Sequence, residues 1–94
     1  MRVKWLQTAR ANLDSEAQYI AQDNPLAAAR VVASITEAVE RLRDFPALGR
    51  PGRVIGTREL VVSGTPYIVP YRVRSDRLEI LRVFHAARRW PTQL

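Results

Sequence analysis

The chain has one histidine, His85, and no cysteine, so any general acid or base working near neutral pH must begin at His85. Cutting RNA through its own 2′-hydroxyl needs a base for that proton, a cation for the crowded phosphate and an acid for the leaving oxygen. Arginine meets the second need and cannot meet the first. Arg58, Arg72, Arg82 and Arg88 fall on or beside the strands read below, and Arg89 and Trp90 follow at once. A nuclease built from this chain would use His85 with Arg58, Arg72 and Arg88. The competing reading of His85 is a strand-end side chain hydrogen-bonded to backbone, and a lone histidine favours it. Without cysteine there is neither a disulfide framework nor a thiolate metal site, and one histidine cannot build a zinc centre by itself. No metal and no cofactor is expected.

The distribution of charge sharpens this. The formal net charge is +6. Residues 1–49 balance six basic groups (Arg2, Lys4, Arg10, Arg30, Arg41, Arg43) against six acids (Asp14, Glu16, Asp23, Glu37, Glu40, Asp44). Residues 50–94 set nine arginines against Glu59, Asp76 and Glu79 alone. Fourteen of the fifteen basic residues are arginine, whose rigid fork suits carboxylates and phosphates. A solvated surface, or a compositional bias of the genome toward arginine, explains the missing lysines but not the asymmetry, which points to a partner of opposite charge.

These groups need a frame. Ninety-four residues, 47% hydrophobic and 26% charged, make a single domain spanning 1–94 with one core. Arg2 to Trp5 alternates polar and apolar, as a short strand would, with Trp5 in the core. A helix is predicted from a Thr8 cap, with Ala9, Leu13, Ala17 and Ile20 on one stripe. Asp23-Asn24-Pro25 stops it and caps the next, Pro25 taking the first helical position. The second helix carries a seam of Ala28, Val32, Ile35, Val39 and Leu42, pairs Glu37 with Arg41 four residues on, and ends before Pro46 with Phe45 packed underneath. The tight turn makes an antiparallel hairpin. Leu48 to Arg53 reads as a surface loop. Strands are predicted at 58–62, 67–73 and 78–84, joined by turns at 63–66 and 74–77. Tyr67, Val69, Tyr71 and Val73 share one face, so the tyrosines read as packing before base-stacking platforms. Pro70 calls for a bulge or an unpaired position. The expected fold is α+β, order βααβββ, a helical hairpin on one face of a small twisted antiparallel sheet, with the arginines on the other. The start of the chain lacks an apolar stretch after its charges, and no run is long enough to span a bilayer, so the expected location is cytoplasmic, with no membrane partner.

The leading Val3-Lys4-Trp5 strand, Tyr19 to Pro25, Phe45-Pro46-Ala47-Leu48-Gly49-Arg50, Gly56-Thr57-Arg58-Glu59-Leu60, Tyr67 to Val73 and Ile80 to Arg88 together resemble the RelE/ParE family of toxins from type II toxin-antitoxin systems. The resemblance covers nearly the whole chain. It implies the same fold and a cognate antitoxin whose acidic C-terminal segment wraps the toxin, giving a hetero-oligomer. Ala28, Val32, Ile35 and Val39, with Arg50, Arg53 and Tyr71, are the residues expected to meet it. Coupled folding of an acidic segment on an apolar groove beside arginines fits the same picture.

The family divides by target. RelE-like members cut mRNA at the ribosome without a metal; ParE-like members poison DNA gyrase. Ribosome-dependent relatives typically place an arginine where this chain has Ile68, three residues before Tyr71. Trp90, Thr92 and Leu94 supply no acid or base near the C-terminus, and Lys4 and Glu59 are the only counterparts of further phosphate-contacting groups. The Asp-Asn-Pro turn and the Gly-Thr-Arg-Glu-Leu segment look closer to ParE-like members. The expectation is a non-enzymatic gyrase poison that supports plasmid stabilization and growth inhibition. Its target-binding residues would be Arg58, Arg72, Arg82, His85, Arg88, Arg89 and Trp90, with Trp90 either a partner contact or a lid. The alternatives are a ribosome-dependent mRNA interferase and an inactive module that only binds antitoxin. A generic DNA-binding domain is weaker, because no helix-turn-helix with a basic recognition helix is visible.

Overall fold

A computed structural model describes residues 1–88, 90 and 94. Its first strand, β1 (Arg2–Trp5), alternates as expected, with Val3 and Trp5 half-buried between exposed Arg2 and Lys4. Helix α1 (Gln7–Ala21) begins two residues earlier than predicted: Leu6, not Thr8, holds the cap position, with no side-chain hydrogen bond capping that end. Ala9 is buried, Leu13 and Ile20 lie against the core, and Glu16 shares this inner side at 7% exposure.

Helix α2 (Pro25–Glu40) starts as the sequence dictates. The Asn24 side chain accepts a hydrogen bond from the Ala27 amide at 3.0 Å, satisfying one of the donors a helix start leaves open. Its seam holds: Ile35, Val39 and Leu42 are almost wholly buried. A 3-10 turn (Arg41–Arg43) ends the helix. Three-residue spacing there eclipses positions i and i+3, so Arg43 pairs with Glu40, and the expected Glu37–Arg41 pair does not appear among the described residues. Phe45 is 62% exposed, not packed underneath.

The sheet runs β1–β5–β4–β3–β2, with β2 (Arg50–Pro51), β3 (Arg58–Val61), β4 (Tyr67–Arg74), β5 (Arg77–Ile80) and a short β6 (Phe84–His85) also paired to β4. The consecutive strands are antiparallel, as expected. The sheet as a whole is mixed, because β1 joins β5 in parallel; the helical hairpin supplies the long crossover that a parallel neighbour needs. Tyr67, Val69 and Tyr71 face the helices and are buried, whereas Val73 lies 44% exposed.

The strand expected over 78–84 is broken in two. Tyr71 faces Ile80 while Ile68 faces Phe84, so three steps along β4 are matched by four on its neighbour. The extra residue sits opposite Pro70, which has no amide hydrogen to offer the ladder; the Pro70 carbonyl still accepts the Leu81 amide at 3.0 Å. Leu60, Val62, Tyr67, Val69, Tyr71, Leu78, Ile80 and Val83 close one core with Ala9, Ile35, Ala38, Val39 and Leu42. Among the described residues, no helix is long and apolar enough to cross a membrane.

Candidate functional site: the arginine face, the strand-end cleft and the helical groove

Strand alternation decides which side each charge takes. Leu78 and Ile80 enter the core, so Arg77 and Glu79 point away from the helices. Register places Arg72 beside Glu79 and Arg74 beside Arg77, with Arg2 and Lys4 completing the row on β1. Glu79 is 3% exposed and gathers three guanidinium groups: Arg72 Nε at 2.7 Å, Arg77 Nη2 at 3.1 Å and Arg74 Nε at 3.7 Å. The hydrogen bond from Arg72, then the charges of all three, hold its carboxyl below the usual 4.5 despite burial.

A second acid organises the other end of this face. Glu59, also 3% exposed, takes Arg50 on one oxygen at 3.1 Å, and on the other the Arg53 amide at 2.8 Å and its guanidinium at 3.5 Å. The Arg53 guanidinium also lies over the Trp90 ring, 3.8 Å from its centroid, a favourable cation–π placement. Trp90 in turn packs on Phe84 at 4.5 Å between centroids, and its indole nitrogen is buried without a partner among the described residues.

Arg58 and Tyr71 serve the fold. Tyr71 is fully buried; its hydroxyl accepts from the Gly49 amide and donates to the Pro46 carbonyl, both at 2.8 Å. Arg58 donates to the Gly49 carbonyl at 2.7 Å. A Cβ on Gly49 would lie 2.6 Å from the Tyr71 ring and 2.9 Å from the Glu59 carbonyl, so glycine is required where this loop crosses the sheet. Burial, more than anything, pushes the Tyr71 hydroxyl upward.

His85 and Arg88 belong to a third place, a cleft of about 230 Å³ between α1 and β6, lined also by Asn12, Ser15, Glu16, Val83 and Phe84. Arg88 donates to Glu16 at 2.8 Å, and this acid raises the arginine further. The Asn12 side-chain Oδ1 accepts the Val83 amide at 3.2 Å. His85 Nδ1 accepts the Ala87 amide at 3.2 Å, which leaves Nε2 as the protonated nitrogen of the neutral ring. The ring stands edge-on to Tyr67 at 5.5 Å. Burial first, and Glu16 second, push the Tyr67 hydroxyl up to about 12.

The four groups proposed for RNA cleavage are therefore divided. Arg58 and Arg72 line one hollow of about 290 Å³, while His85 and Arg88 line the cleft. Arg82 is half-buried, with a single 3.4 Å contact to the Leu81 carbonyl. Arg89 lies outside the described residues. Of the residues assigned to an antitoxin, Ala28 and Val32 line an apolar groove of about 500 Å³ between α1 and α2, with Ala17, Ala21, Ala29 and Ala33. Arg50 and Arg53 sit on the Glu59 cluster. Ile35, Val39 and Tyr71 are corrected: their side chains are spent in the core at 0–1% exposure and offer a partner nothing. Among the described residues, no three His, Asp or Glu side chains converge as metal ligands would.

Sequence reasoning missed Glu16 and Glu79, and read Glu59 only as a counterpart of phosphate-contacting groups. A signal was present for Glu16, which falls three residues after Leu13 and four before Ile20, an acid on the apolar stripe that must find a cation. The two sheet acids carry a weaker one: each is a lone carboxylate inside a strand otherwise flanked by arginines.

A helical hairpin on one face of a small mixed sheet is an arrangement already known among solved structures. That of the chromosomal ParDE TA system from P. aeruginosa superposes with a TM-score of 0.81 at 33% identity, covering 90% of this chain and 95% of that one. The fold and its basic face define a toxin of the RelE/ParE class. The family model for the ParE toxin of type II toxin-antitoxin system, parDE, matches residues 3–90, and the chain belongs to that family. "Putative toxin Y4kP" of Sinorhizobium fredii is 52% identical over 93 residues, covering 99% of this chain and 96% of that protein. Toxin RelE2 of Caulobacter vibrioides is 38% identical over 87 residues, covering 93% and 97%.

Proposed function

We propose that this toxin arrests growth by poisoning DNA gyrase and is silenced by a cognate acidic antitoxin. The observation that carries the choice of target is the separation of the nuclease candidates. Arg58 is committed to the loop, at the Gly49 carbonyl, while Arg72 and Arg88 are anchored on two different acids, Glu79 and Glu16. His85 stands in a different hollow from Arg58 and Arg72. General acid–base catalysis needs its groups within hydrogen-bond reach of one reacting centre. A toxin that works by holding another protein has no such requirement, and membership of the ParE family favours the same reading. The target-binding surface would then comprise Arg72, Arg82, His85, Arg88 and Trp90, with Arg89 beside them.

The antitoxin would lay an apolar helical face in the groove lined by Ala28 and Val32, with acidic residues reaching toward Arg50 and Arg53. Small groove residues let a partner backbone approach closely, which a bulky side chain would prevent.

The test incubates the toxin with gyrase, ATP and supercoiled plasmid, then traps covalent complexes with detergent and protease. Linear plasmid that depends on gyrase is the expected result. Folded toxin that yields none, yet cuts mRNA on programmed ribosomes, overturns the reading and makes His85 and Arg88 the leading catalytic groups. In the same preparation, Ala33→Trp should weaken antitoxin binding by about ten-fold or more, the equivalent of ~1.4 kcal/mol, without lowering the melting temperature of the free toxin.

A further inference from the structure

We infer that the outward face of β1, β5 and the end of β4 binds the phosphate backbone of a nucleic-acid duplex, through Arg2, Lys4, Arg72, Arg74 and Arg77. The inference goes beyond the gyrase reading and does not depend on it.

Three observations carry it. The first is charge in excess of its counter-charge. Five cations share this face with two acids, Glu79 and the exposed Asp76, whose one ion pair among the described residues is to Arg2 at 3.7 Å. Glu79 is a single carboxylate serving three guanidinium groups. Like charges drawn this close repel, and a bound anion relieves that repulsion.

The second is pre-organisation. Glu79 is buried beneath the arginines and occupies one edge of each fork, while Arg72, Arg74 and Arg77 keep side-chain exposures of 34%, 57% and 41%. Their remaining N–H groups face solvent in fixed positions. Arginine held in this way loses less rotamer freedom on meeting a phosphate than a free side chain does. The residues descend from adjacent strands about 4.8 Å apart, so the cations form a sheet-borne array and not one flexible tail.

The third is what the array lacks. Among the described residues, the aromatic side chains counted as exposed are Tyr19 in α1 and Phe45 after the 3-10 turn, away from this face, so bases have nothing to stack on there and single strands gain no advantage. Among the described residues, the exposed apolar side chain within this part of β4, Val73, is in register with core Leu78 and so lies on the other side of the sheet, which leaves this face without the broad apolar surface that holds a protein in a lipid interface. Phosphates repeating at regular spacing along a stiff duplex match a row of cations fixed on a sheet.

The experiment follows anisotropy of a short fluorescein-labelled DNA duplex of mixed sequence as toxin is added, with no topoisomerase present, at several salt concentrations. Binding is expected, with log K falling against log salt at a slope of about −3 to −5, close to −0.9 for each phosphate neutralised. Arg74→Gln with Arg77→Gln should lower affinity by about ten-fold or more and flatten the slope by roughly 2. Arg10→Gln with Arg30→Gln removes as much charge from the helices and should change affinity less than about two-fold. Circular dichroism checks folding; if the first pair does not fold, Arg2→Gln with Lys4→Gln makes the same comparison.

Equal losses from the helical and the sheet pairs would reduce the effect to net charge and overturn the assignment. So would no binding by folded toxin at the lowest salt, or tighter binding to a single-stranded oligonucleotide than to the duplex. A duplex RNA of the same sequence distinguishes backbone recognition, which accepts both, from a preference for B-form DNA. Failure here leaves gyrase poisoning intact, and failure of gyrase poisoning leaves this result standing.

Discussion

The hydroxyl of Tyr71 makes two 2.8 Å hydrogen bonds, to the Gly49 amide and the Pro46 carbonyl, from a residue with no exposed surface. Removing one atom leaves the buried Gly49 amide and the part-buried Pro46 carbonyl without this partner, and an unmet buried donor or acceptor costs about 1–3 kcal/mol. Tyr71→Phe should therefore lose stability in that range by urea unfolding with an unchanged m-value; a loss below about 0.5 kcal/mol would mean that water replaces the hydroxyl. The sequence marks Tyr71 as a packing residue through its alternation with Val69 and Tyr67, and in this it is legible. Its tie to a loop 22 residues earlier is not, because no local pattern encodes a contact across that distance. The same limit explains why Arg58, a candidate phosphate ligand by residue type, turns out to grip the Gly49 carbonyl. Residue type states what a side chain can do, and only the neighbours brought by the fold decide what it does.

Among the elements, the helical hairpin is the most fully encoded. Asp23-Asn24-Pro25 stops one helix and starts the next, and the Asn24 side chain caps α2. Asn24→Ala should cost about 1 kcal/mol, read as a lower urea midpoint, while Asn24→Asp or Asn24→Ser should recover most of it. Thr8 misled because a threonine before an apolar stripe looks like a cap, yet the chain enters α1 directly from β1 and the Leu6 amide is held instead by the Ile80 carbonyl at 3.0 Å. The antiparallel strands were legible through their short turns. The parallel placement of β1 was not, since its partner lies more than seventy residues away and nothing in four alternating residues names it. Of the contacts proposed for an antitoxin, the apolar seam of α2 could be read, but a seam that serves the core and one that serves a partner have the same spacing. Burial of Ile35 and Val39 assigns them to the core.

At the scale of the whole molecule, charge and fold are coupled. Fifteen lysines and arginines face nine acids, and two of those acids, Glu59 and Glu79, are buried beneath arginines on the sheet. Glu79 has its folded-state pKa held below the usual value, so the stability it contributes is present at neutral pH and is lost as pH falls through that depressed value. Protonation of the other carboxylates meanwhile removes the counter-charge to every basic group, adding self-repulsion. The melting temperature should fall steeply as the buffer is taken below the ordinary carboxylate range, more so than for Glu79→Gln, whose own contribution is already gone. A profile of the same steepness in both proteins would show that Glu79 adds nothing to acid sensitivity.

The unmatched residue opposite Pro70 also sets a limit on how the gene can change. Leu78 and Ile80 face the helices on even numbers, yet beyond the slip Val83 faces them on an odd one, beside Asn12. The segment from Leu81 to Val83 thus acts as a phase shift between two stretches of the same sheet. Loss of one codon there would exchange the inward and outward sides of Phe84 and His85, unseating the contact with Trp90 and the histidine together. Equal losses at the Ser63–Thr65 turn would only shorten a connection. Toxins of this architecture should tolerate length variation at their hairpin tips and almost none in these three residues.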